Sequence, residues 1–230
     1  MKDWFAGRVA ERYDAETADM PVEPVVDFLA PLAAGGALEL AIGTGRIAVP
    51  LARRGIRVAG IDLSEDMAAQ LRRKTADIPV AIGDMATTRV DGTFSLAYVV
   101  FNSINNVTTQ EGQLGVFANA AAHLEPGGCF VVEVGVPGLA PLEVFDLSDT
   151  HVGIDERHPG TQEFVSHHFT LVDGRWERNS VPFRSVSPGE LDLMARLAGM
   201  TLRERWSDWG RTPFTTESRK HVSVWEKPAG

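Results

Sequence analysis

A pair of glycines directly after an apolar run is the part of the sequence best suited to binding a charged small molecule. Residues 38–42 are typical of a buried strand, and Gly43-Thr44-Gly45 follows them and leads into a helix-like segment. Because glycine has no side chain, the backbone N–H groups of such a turn can approach a ligand closely. Glu39 lies four residues before the first glycine. The turn therefore predicts a cofactor site, and Glu39 bears on which cofactor it holds.

One interpretation of this turn is a dinucleotide site. Gly43, Gly45 and Ala48 fit the G-x-G-x-x-A form of the dinucleotide fingerprint. Asp62 lies near the end of the second strand-like segment, where a ribose-binding carboxylate belongs. This pattern favours a nicotinamide or flavin enzyme.

The other interpretation is a nucleoside that carries a positive charge. A carboxylate at Glu39 would repel a pyrophosphate, but it would attract a cofactor with sulfonium and ammonium groups. Gly83-Asp84-Met85 follows the third strand-like segment. We expect its carboxylate to accept from an adenine amino group and Met85 to pack against the ring. These features favour a sulfonium nucleoside over the dinucleotide.

Two adjacent histidines are the candidates for acid–base chemistry. His167 and His168 lie in one strand-like segment, so their side chains point to opposite faces. His168 shares its face with Gln162, Phe164, Ser166 and Thr170, a more polar set than the neighbours of His167. We therefore predict that His168 faces the pocket as a catalytic base. The other histidines have no ligand spacing, and no metal site is predicted.

Composition limits the classes of protein that fit. The chain has 230 residues, 44% of them hydrophobic, which suits one α/β domain with elaborations. A net charge of −9 disfavours binding of nucleic acid through phosphates. The single cysteine, Cys129, excludes an internal disulfide framework. Neither an apolar leader near the N-terminus nor a run of about 20 apolar residues is present, so we expect a cytoplasmic protein without a membrane span.

Alternating strand and helix patterns position the candidate residues. Helices are predicted over residues 9–19, 22–33, 45–54, 64–74, 110–123 and 188–198, and strands over 37–42, 56–61, 79–82, 94–101, 129–134, 163–172, 176–186, 201–206 and 221–225. Residues 125–128 are predicted to form a turn. Helices between strands imply a mostly parallel sheet with both faces covered.

The alternation of strand and helix patterns ends after residue 135. Residues 135–160 contain several Pro, Gly and Asp residues and show little hydrophobic periodicity. Two strands around Asp173-Gly174 then indicate a hairpin. We predict a single domain with four parts: an N-terminal helical lid (1–34), a cofactor-binding core (35–134), a β-rich insertion that shapes the substrate pocket (135–186), and a closing helix with two strands (187–230).

Taken in order, these motifs resemble those of the class I S-adenosylmethionine-dependent methyltransferases over most of the chain. The segments concerned are Glu39–Gly45, Asp62-Leu63-Ser64 with Met67, Gly83-Asp84-Met85, Phe101-Asn102-Ser103, Leu124–Gly128, and Val9-Ala10 with Tyr13-Asp14. Ala41 departs from the family's pattern, which has a glycine at that position. The resemblance implies a Rossmann-like, doubly wound, seven-stranded and mostly parallel sheet with an antiparallel last strand and an insertion after the fifth strand.

The resemblance also implies the roles of individual residues. Asp62 is expected to bind the ribose hydroxyls of the cofactor. Asp84, Met67 and Met85 are expected to contact its adenine, and Tyr13 is expected to bind the carboxylate of its methionine portion. Phe101 and Asn102 are expected to line the pocket near the transferred methyl group. The complete set of expected cofactor-binding residues is Tyr13, Glu39, Ala41, Gly43, Gly45, Arg46, Asp62, Leu63, Met67, Gly83, Asp84, Met85, Phe101 and Asn102.

The expected activity is methyl transfer from S-adenosylmethionine to an oxygen or nitrogen atom of a small metabolite, with S-adenosylhomocysteine as product. The residues after the fourth strand, Asn102-Ser103-Ile104-Asn105, are not the Asn-Pro-Pro-aromatic pattern of enzymes that modify bases or glutamine. The overall pattern is similar to bacterial enzymes that methylate natural products and sugars. An NAD(P)-dependent oxidoreductase and a catalytically silent cofactor-binding module are the alternatives. The sequence does not indicate an oligomeric state.

Overall fold

A central seven-stranded sheet organises the chain. A computed structural model describes residues 2–229. Its strands are β1 (Ala37–Leu40), β2 (Val58–Asp62), β3 (Val80–Ile82), β4 (Phe94–Val99), β5 (Leu124–Gly135), β6 (Leu142–Leu147), β7 (His151–His158), β8 (Glu163–Val172), β9 (Arg175–Arg184), β10 (Thr201–Trp206) and β11 (Lys220–Glu226). The central sheet has the order β10-β11-β5-β4-β1-β2-β3. β1 to β5 pair in parallel, whereas β11 is antiparallel to both of its neighbours. The predicted Rossmann-like architecture is confirmed.

Residues 2–229 form six α-helices: α1 (Arg8–Glu16), α2 (Glu23–Leu29), α3 (Ala48–Arg53), α4 (Glu65–Lys74), α5 (Gln110–His123) and α6 (Pro188–Leu197). Three of them begin at a hydroxyl cap. Ser64, Thr109 and Ser187 accept from backbone N–H groups of the first turns of α4, α5 and α6. Such caps satisfy donors that have no partner within the helix. Among the described residues, no helix is long and apolar enough to cross a membrane.

Two apolar clusters hold the layers together, one on each face of the sheet. Phe117 of α5 packs edge-on against Phe130 of β5 and Trp225 of β11, with ring centroids 5.0 and 5.2 Å away. On the other face, α2 and α3 pack over β1 and β4. Strands that are buried on both faces give the near-continuous apolar runs seen in the sequence.

The insertion lies within its predicted bounds and contains more strands than predicted. Besides β8 and β9, residues 142–147 and 151–158 form β6 and β7, and the four strands make an antiparallel sheet in the order β6-β7-β8-β9. No strand was predicted over 135–160, so β6 and β7 were missed within the predicted β-rich insertion. β6 is exposed along its whole length, so burial does not impose an alternating pattern on its sequence.

Several predicted boundaries were also wrong. α1 ends at Glu16 rather than at residue 19, and the helix predicted over 22–33 gives way to a 3₁₀ turn at Ala30–Leu32, which contains Pro31. α3 begins at Ala48 because the glycine turn occupies the residues before it. β5 begins at Leu124 and takes in the predicted turn 125–128. These differences shift ends of elements and leave their order unchanged.

Candidate cofactor and acceptor site

A cleft lies at the carboxyl ends of β1, β2, β3 and β4, which share one edge of the sheet because they run in parallel. It encloses about 970 Å³ of empty space, open solvent included. The chain proceeds from β1 outwards to β3 and then crosses to β4 on the other side of β1. Such a switch point, between β1 and β4, is where open α/β sheets bind their ligands. The glycine turn follows β1 directly and therefore lies at this switch point.

The glycine turn has the backbone shape that its residues allow. Gly43 and Gly45 have φ values of 58° and 78°, in the left-handed region. A Cβ atom on Gly45 would lie 2.9 Å from Leu71 Cδ1 of α4, so this glycine is also needed for packing. Ala41 has a φ of 58° as well. The alanine thus adopts, at a steric cost, the conformation for which the family's glycine is suited.

Asp62 joins the end of β2 to the glycine turn. Its Oδ2 accepts from the N–H of Gly43 at 2.6 Å, and its Oδ1 accepts from the N–H of Ser64 at 2.8 Å. Burial raises the pKa of Asp62, while these two backbone donors act in the opposite direction. A carboxylate has about four acceptor positions, so both oxygens keep a position free for a ligand in the cleft.

Glu39 is an acid buried beneath the cleft. It is 3% exposed, and its Oε2 accepts from the hydroxyl of the fully buried Tyr98 at 2.9 Å. Burial raises the pKa of Glu39 to about 8, although Tyr98 and the guanidinium of Arg46 lower it in part. The side chain also lines the cleft, so a cation bound there would favour its ionised form.

The loop after β3 contributes Asp84 and Met85. Asp84 Oδ1 accepts from the N–H of Ala86 at 2.8 Å, which closes the loop on itself. Asn119 of α5 donates to the carbonyls of Met85 and Thr88 at 2.7 and 2.8 Å and fixes the loop against the core. Asp84 and Met85 line the cleft, whereas Gly83 does not. A Cβ atom on Gly83 would lie 2.1 Å from Thr88 Oγ1, which gives this glycine a packing role.

Helix α1 closes one side of the cleft. Tyr13 lines it, and burial raises the pKa of its phenol to about 12. The next residue, Asp14, accepts from Thr44 Oγ1 in the glycine turn at 2.6 Å and pairs with Lys74 Nζ of α4 at 2.5 Å. Lys74 also donates to the carbonyl of Thr44 at 2.8 Å. α1 is thus tied to the turn that it covers.

The segment after β4 supplies an aromatic wall. Phe101 lines the cleft, and the guanidinium carbon of Arg46 lies 5.5 Å from its ring centroid. Asn102 does not line the cleft; its Oδ1 accepts from the N–H of Gly135 at 2.7 Å. Phe101 and Asn102 both have left-handed backbones, with φ values of 56° and 60°.

His168 lies in the insertion, outside the cleft lining. Its Nδ1 is 3.1 Å from Nε2 of His151, whose own Nδ1 is 2.5 Å from Asp146 Oδ2. Its Nε2 is 3.3 Å from Ser166 Oγ. Burial, and next the neighbouring His151, lower the pKa of His168. The imidazole is therefore neutral at pH 7 and able to accept a proton.

The strand register shows which way His168 faces. His168 pairs with Asn179, and Thr170, two residues further along β8, pairs with Glu177. Residues two apart in a strand, and their direct cross-strand partners, share a face. Glu177 pairs with Arg8 and Arg12 of α1 at 2.7 and 3.7 Å. The face that carries His168 is thus the face that meets α1.

Most of the predicted cofactor residues meet in this cleft. Eleven line it: Tyr13, Glu39, Ala41, Gly43, Arg46, Asp62, Leu63, Met67, Asp84, Met85 and Phe101. Gly45, Gly83 and Asn102 instead shape the backbone around it. Two further groups of residues line the cleft and were not predicted to bind the cofactor: Lys2 to Phe5, and a group after β4 that includes Ser103, Asn106 and Val107. The aromatic pair Trp4-Phe5 just before α1 was the available signal for the first group.

Comparison with known proteins places the chain among methyltransferases. Residues 37–128 match a family described as "Methyltransferase domain". A dTDP-3-amino-3,4,6-trideoxy-alpha-D-glucopyranose N,N-dimethyltransferase of Streptomyces venezuelae is 32% identical over 187 residues, which is 81% of this chain and 75% of that protein. A cypemycin N-terminal methyltransferase of a Streptomyces species is 26% identical over 86% of this chain and 85% of its own.

The fold agrees over the entire length with one solved structure. The CcbJ methyltransferase of Streptomyces caelestis superposes with a TM-score of 0.87 at 32% identity, covering 99% of this chain and 100% of that one. The glycine turn, the carboxylate of Asp62 at the end of β2 and the loop after β3 occur in the order that the sequence predicted. The chain belongs to the class I S-adenosylmethionine-dependent methyltransferases, in their bacterial small-molecule branch.

Proposed function

We propose that the protein transfers a methyl group from S-adenosylmethionine to the nitrogen atom of a small amine, with an amino sugar or a similar natural-product intermediate as the acceptor. The observation that carries the choice of cofactor is the pair of buried acids, Glu39 and Asp62, on either side of the glycine turn. The proposal also rests on family membership and on what the groups in the cleft would bind.

The residues fit this cofactor by their chemistry. Asp62 is 8% exposed and keeps acceptor positions that ribose hydroxyls would fill. Glu39 supplies a negative charge near a cationic methionine portion, and Asp84 with Met85 supplies an acceptor and an apolar contact for adenine. When bound, the cofactor supplies a methyl group on a sulfonium, which is already a good leaving group. The chain's task is to hold the acceptor in line with that methyl.

The groups that line the cleft support an amine rather than a hydroxyl acceptor. A hydroxyl has to lose its proton to a base during the transfer, whereas a neutral amine attacks with its own lone pair. Glu39, Asp62 and Asp84 would all be occupied by the cofactor, at its cationic end, its ribose and its adenine, and are not left over as bases for the acceptor. Among residues 2–229, no histidine lines the cleft. The methylated amine has to lose a proton after the transfer. That His168 accepts this proton stays a prediction.

Relatives support an amino sugar or a related natural product as the acceptor. Two of the relatives have names that describe methylation at nitrogen or at an N-terminus: a dTDP-amino-sugar N,N-dimethyltransferase and a cypemycin N-terminal methyltransferase. This chain would use the insertion sheet as the acceptor wall. Its Glu177 meets Arg8 and Arg12 of α1, which supports residues 1–34 as a lid and residues 135–186 as the substrate-shaping part.

Matched acceptors test the proposal. The purified protein is incubated with S-adenosylmethionine and with pairs of small sugars that differ only in an amino or a hydroxyl group at one carbon, including dTDP-3-amino-3,4,6-trideoxyglucose. Mass spectrometry is expected to show methylation of the amine and not of its hydroxyl partner. Methylation of the hydroxyl compounds alone would overturn the nitrogen assignment. An Asp62→Ala variant controls for transfer that does not depend on this cleft.

A further inference from the structure

The segment between β4 and the cleft has a backbone that its residue types do not favour. Phe101 and Asn102 are consecutive non-glycine residues with left-handed φ values. Each such residue is sterically unfavourable, and a pair persists only where the surroundings impose it. Phe101 lines the cleft, so the imposed backbone determines where an aromatic ring meets the ligands. The groups that hold Phe101 and Asn102 in this conformation therefore help to position the Phe101 ring in the cleft.

Glu133 of β5 is the group that holds Phe101. The last backbone pairing of β4 with β5 joins Val99 to Val132. Beyond it, Glu133 Oε2 accepts from the N–H of Phe101 at 3.0 Å, and the carbonyl of Glu133 accepts from the N–H of Asn102 at 3.2 Å. One residue of β5 thus satisfies both donors of the left-handed pair.

The second carboxylate oxygen of Glu133 is also occupied. Trp209, which is 8% exposed, donates from Nε1 to Glu133 Oε1 at 3.0 Å. The Trp209 ring packs edge-on against Phe28 of α2, with centroids 5.3 Å apart. Trp209 thus fixes the carboxylate of Glu133 from the side of the core, and the other oxygen of this carboxylate contacts the backbone of Phe101, which lines the cleft. Glu133 does not itself line the cleft.

We infer that Glu133 is a positioning residue for methyl transfer: its carboxylate, braced by Trp209, holds Phe101 in the left-handed conformation that places its ring at the cofactor cleft. The inference rests on the proposed function in one respect only, namely that the cleft binds S-adenosylmethionine and its product. It does not depend on whether the acceptor atom is nitrogen or oxygen.

A double-mutant cycle with S-adenosylhomocysteine tests this role without an acceptor. Glu133→Gln keeps the size of the side chain but replaces one acceptor oxygen by a donor, so one of the two N–H groups loses its partner. We expect this change to weaken S-adenosylhomocysteine binding, measured by calorimetry, by about tenfold. In a Phe101→Gly background the same change is expected to cost less than twofold, because glycine adopts this backbone without support.

Two further variants make the result specific. Glu226→Gln, at the opposite end of the β5–β11 pairing and paired with Arg203, is the matched control and is expected to leave the affinity unchanged. Trp209→Phe removes the indole donor together with the volume of one ring, and it replaces Glu133→Gln in the cycle if that variant does not fold. An equal loss in the wild-type and Phe101→Gly backgrounds, or no loss in either, would overturn the inference. Failure of amine methylation would bear on the proposed function alone.

Discussion

The hydroxyl of Tyr98 donates to the carboxylate of Glu39 at 2.9 Å, and both side chains are buried beneath the cofactor cleft. Burial raises the pKa of Glu39 to about 8, and the adjacent phenol only partly offsets this effect. The acid is therefore neutral in the free protein near pH 7. Because it lines the cleft, it can become charged when a cation arrives.

Binding of S-adenosylmethionine is expected to release a proton from Glu39. A cation near a carboxyl group favours its ionised form, so binding lowers the pKa of Glu39 and releases a proton below about pH 8. Affinity should rise from pH 6 to pH 8 and then level off. Calorimetry at pH 7 in two buffers of different ionisation enthalpy measures the proton count.

The control for this coupling is Glu39→Gln, which cannot ionise. Proton release and the rise in affinity with pH should both be absent from this variant. A pH profile of Glu39→Gln that matches the wild type would show that the coupled proton comes from another group.

Loss of the Asp14 carboxylate should loosen the lid. Asp14 accepts from Thr44 and pairs with Lys74, so Asp14→Asn keeps the size of the side chain and removes its charge. Both partners are partly exposed, which limits the contribution to about 1 kcal/mol, or roughly fivefold in affinity for S-adenosylhomocysteine. Glu65→Gln, which disrupts the exposed Glu65–Arg72 pair of α4, is the control. Equal affinities of the wild type and Asp14→Asn would contradict the role of this contact.

Replacing Ala41 by glycine should stabilise the fold. Ala41 has a φ of 58°, a region that costs non-glycine residues roughly 1–2 kcal/mol. Part of that gain is offset because glycine loses more backbone entropy on folding. We expect a net gain of about 1 kcal/mol and a rise in Tm of roughly 2–4 °C by calorimetry. The same change at Ala52, inside α3, should lower stability by about 1 kcal/mol. A fall in Tm for Ala41→Gly would contradict the strain assigned to this position.

His168→Ala is expected to lower kcat without changing the affinity for S-adenosylhomocysteine. The histidine lies outside the cofactor cleft, on the sheet face that meets α1, and its lowered pKa keeps it able to accept a proton at pH 7. His167→Ala removes the neighbouring imidazole from the opposite face and serves as the matched control. Equal turnover of His168→Ala and the wild type would remove His168 as the proton acceptor.

Local chemistry made the cofactor cleft predictable from the sequence. Glu39, Asp62 and Asp84 each stand at or just after a strand end, and parallel strands bring such ends to one edge. Gly43 and Gly45 likewise mark a backbone that few other residues adopt. These residues can be recognised from their neighbours in the sequence, so their prediction does not require knowledge of the three-dimensional fold.

Long-range relationships were not predictable in the same way. Glu133 and Phe101 are 32 residues apart, and nothing near either residue indicates that a carboxylate satisfies the strained backbone. Strand β6 was missed because it is exposed along its whole length, so burial imposes no apolar alternation on it. Strand β7 was missed because its two buried positions are Gly153 and Asp155, which are not apolar side chains that mark a strand. Trp4 and Phe5 were missed as cleft residues because they lie outside any regular element.

Methylation of a small amine by S-adenosylmethionine bound in this cleft is open to direct measurement. The most direct measurement is mass spectrometry of dTDP-3-amino-3,4,6-trideoxyglucose after incubation with the protein and methyl-deuterated S-adenosylmethionine, with Asp62→Ala in parallel. We expect the amine to gain labelled methyl groups with the wild-type protein and far fewer with Asp62→Ala. Equal labelling of the amine by both proteins, or no labelling by either, would contradict methyl transfer to an amine in this cleft.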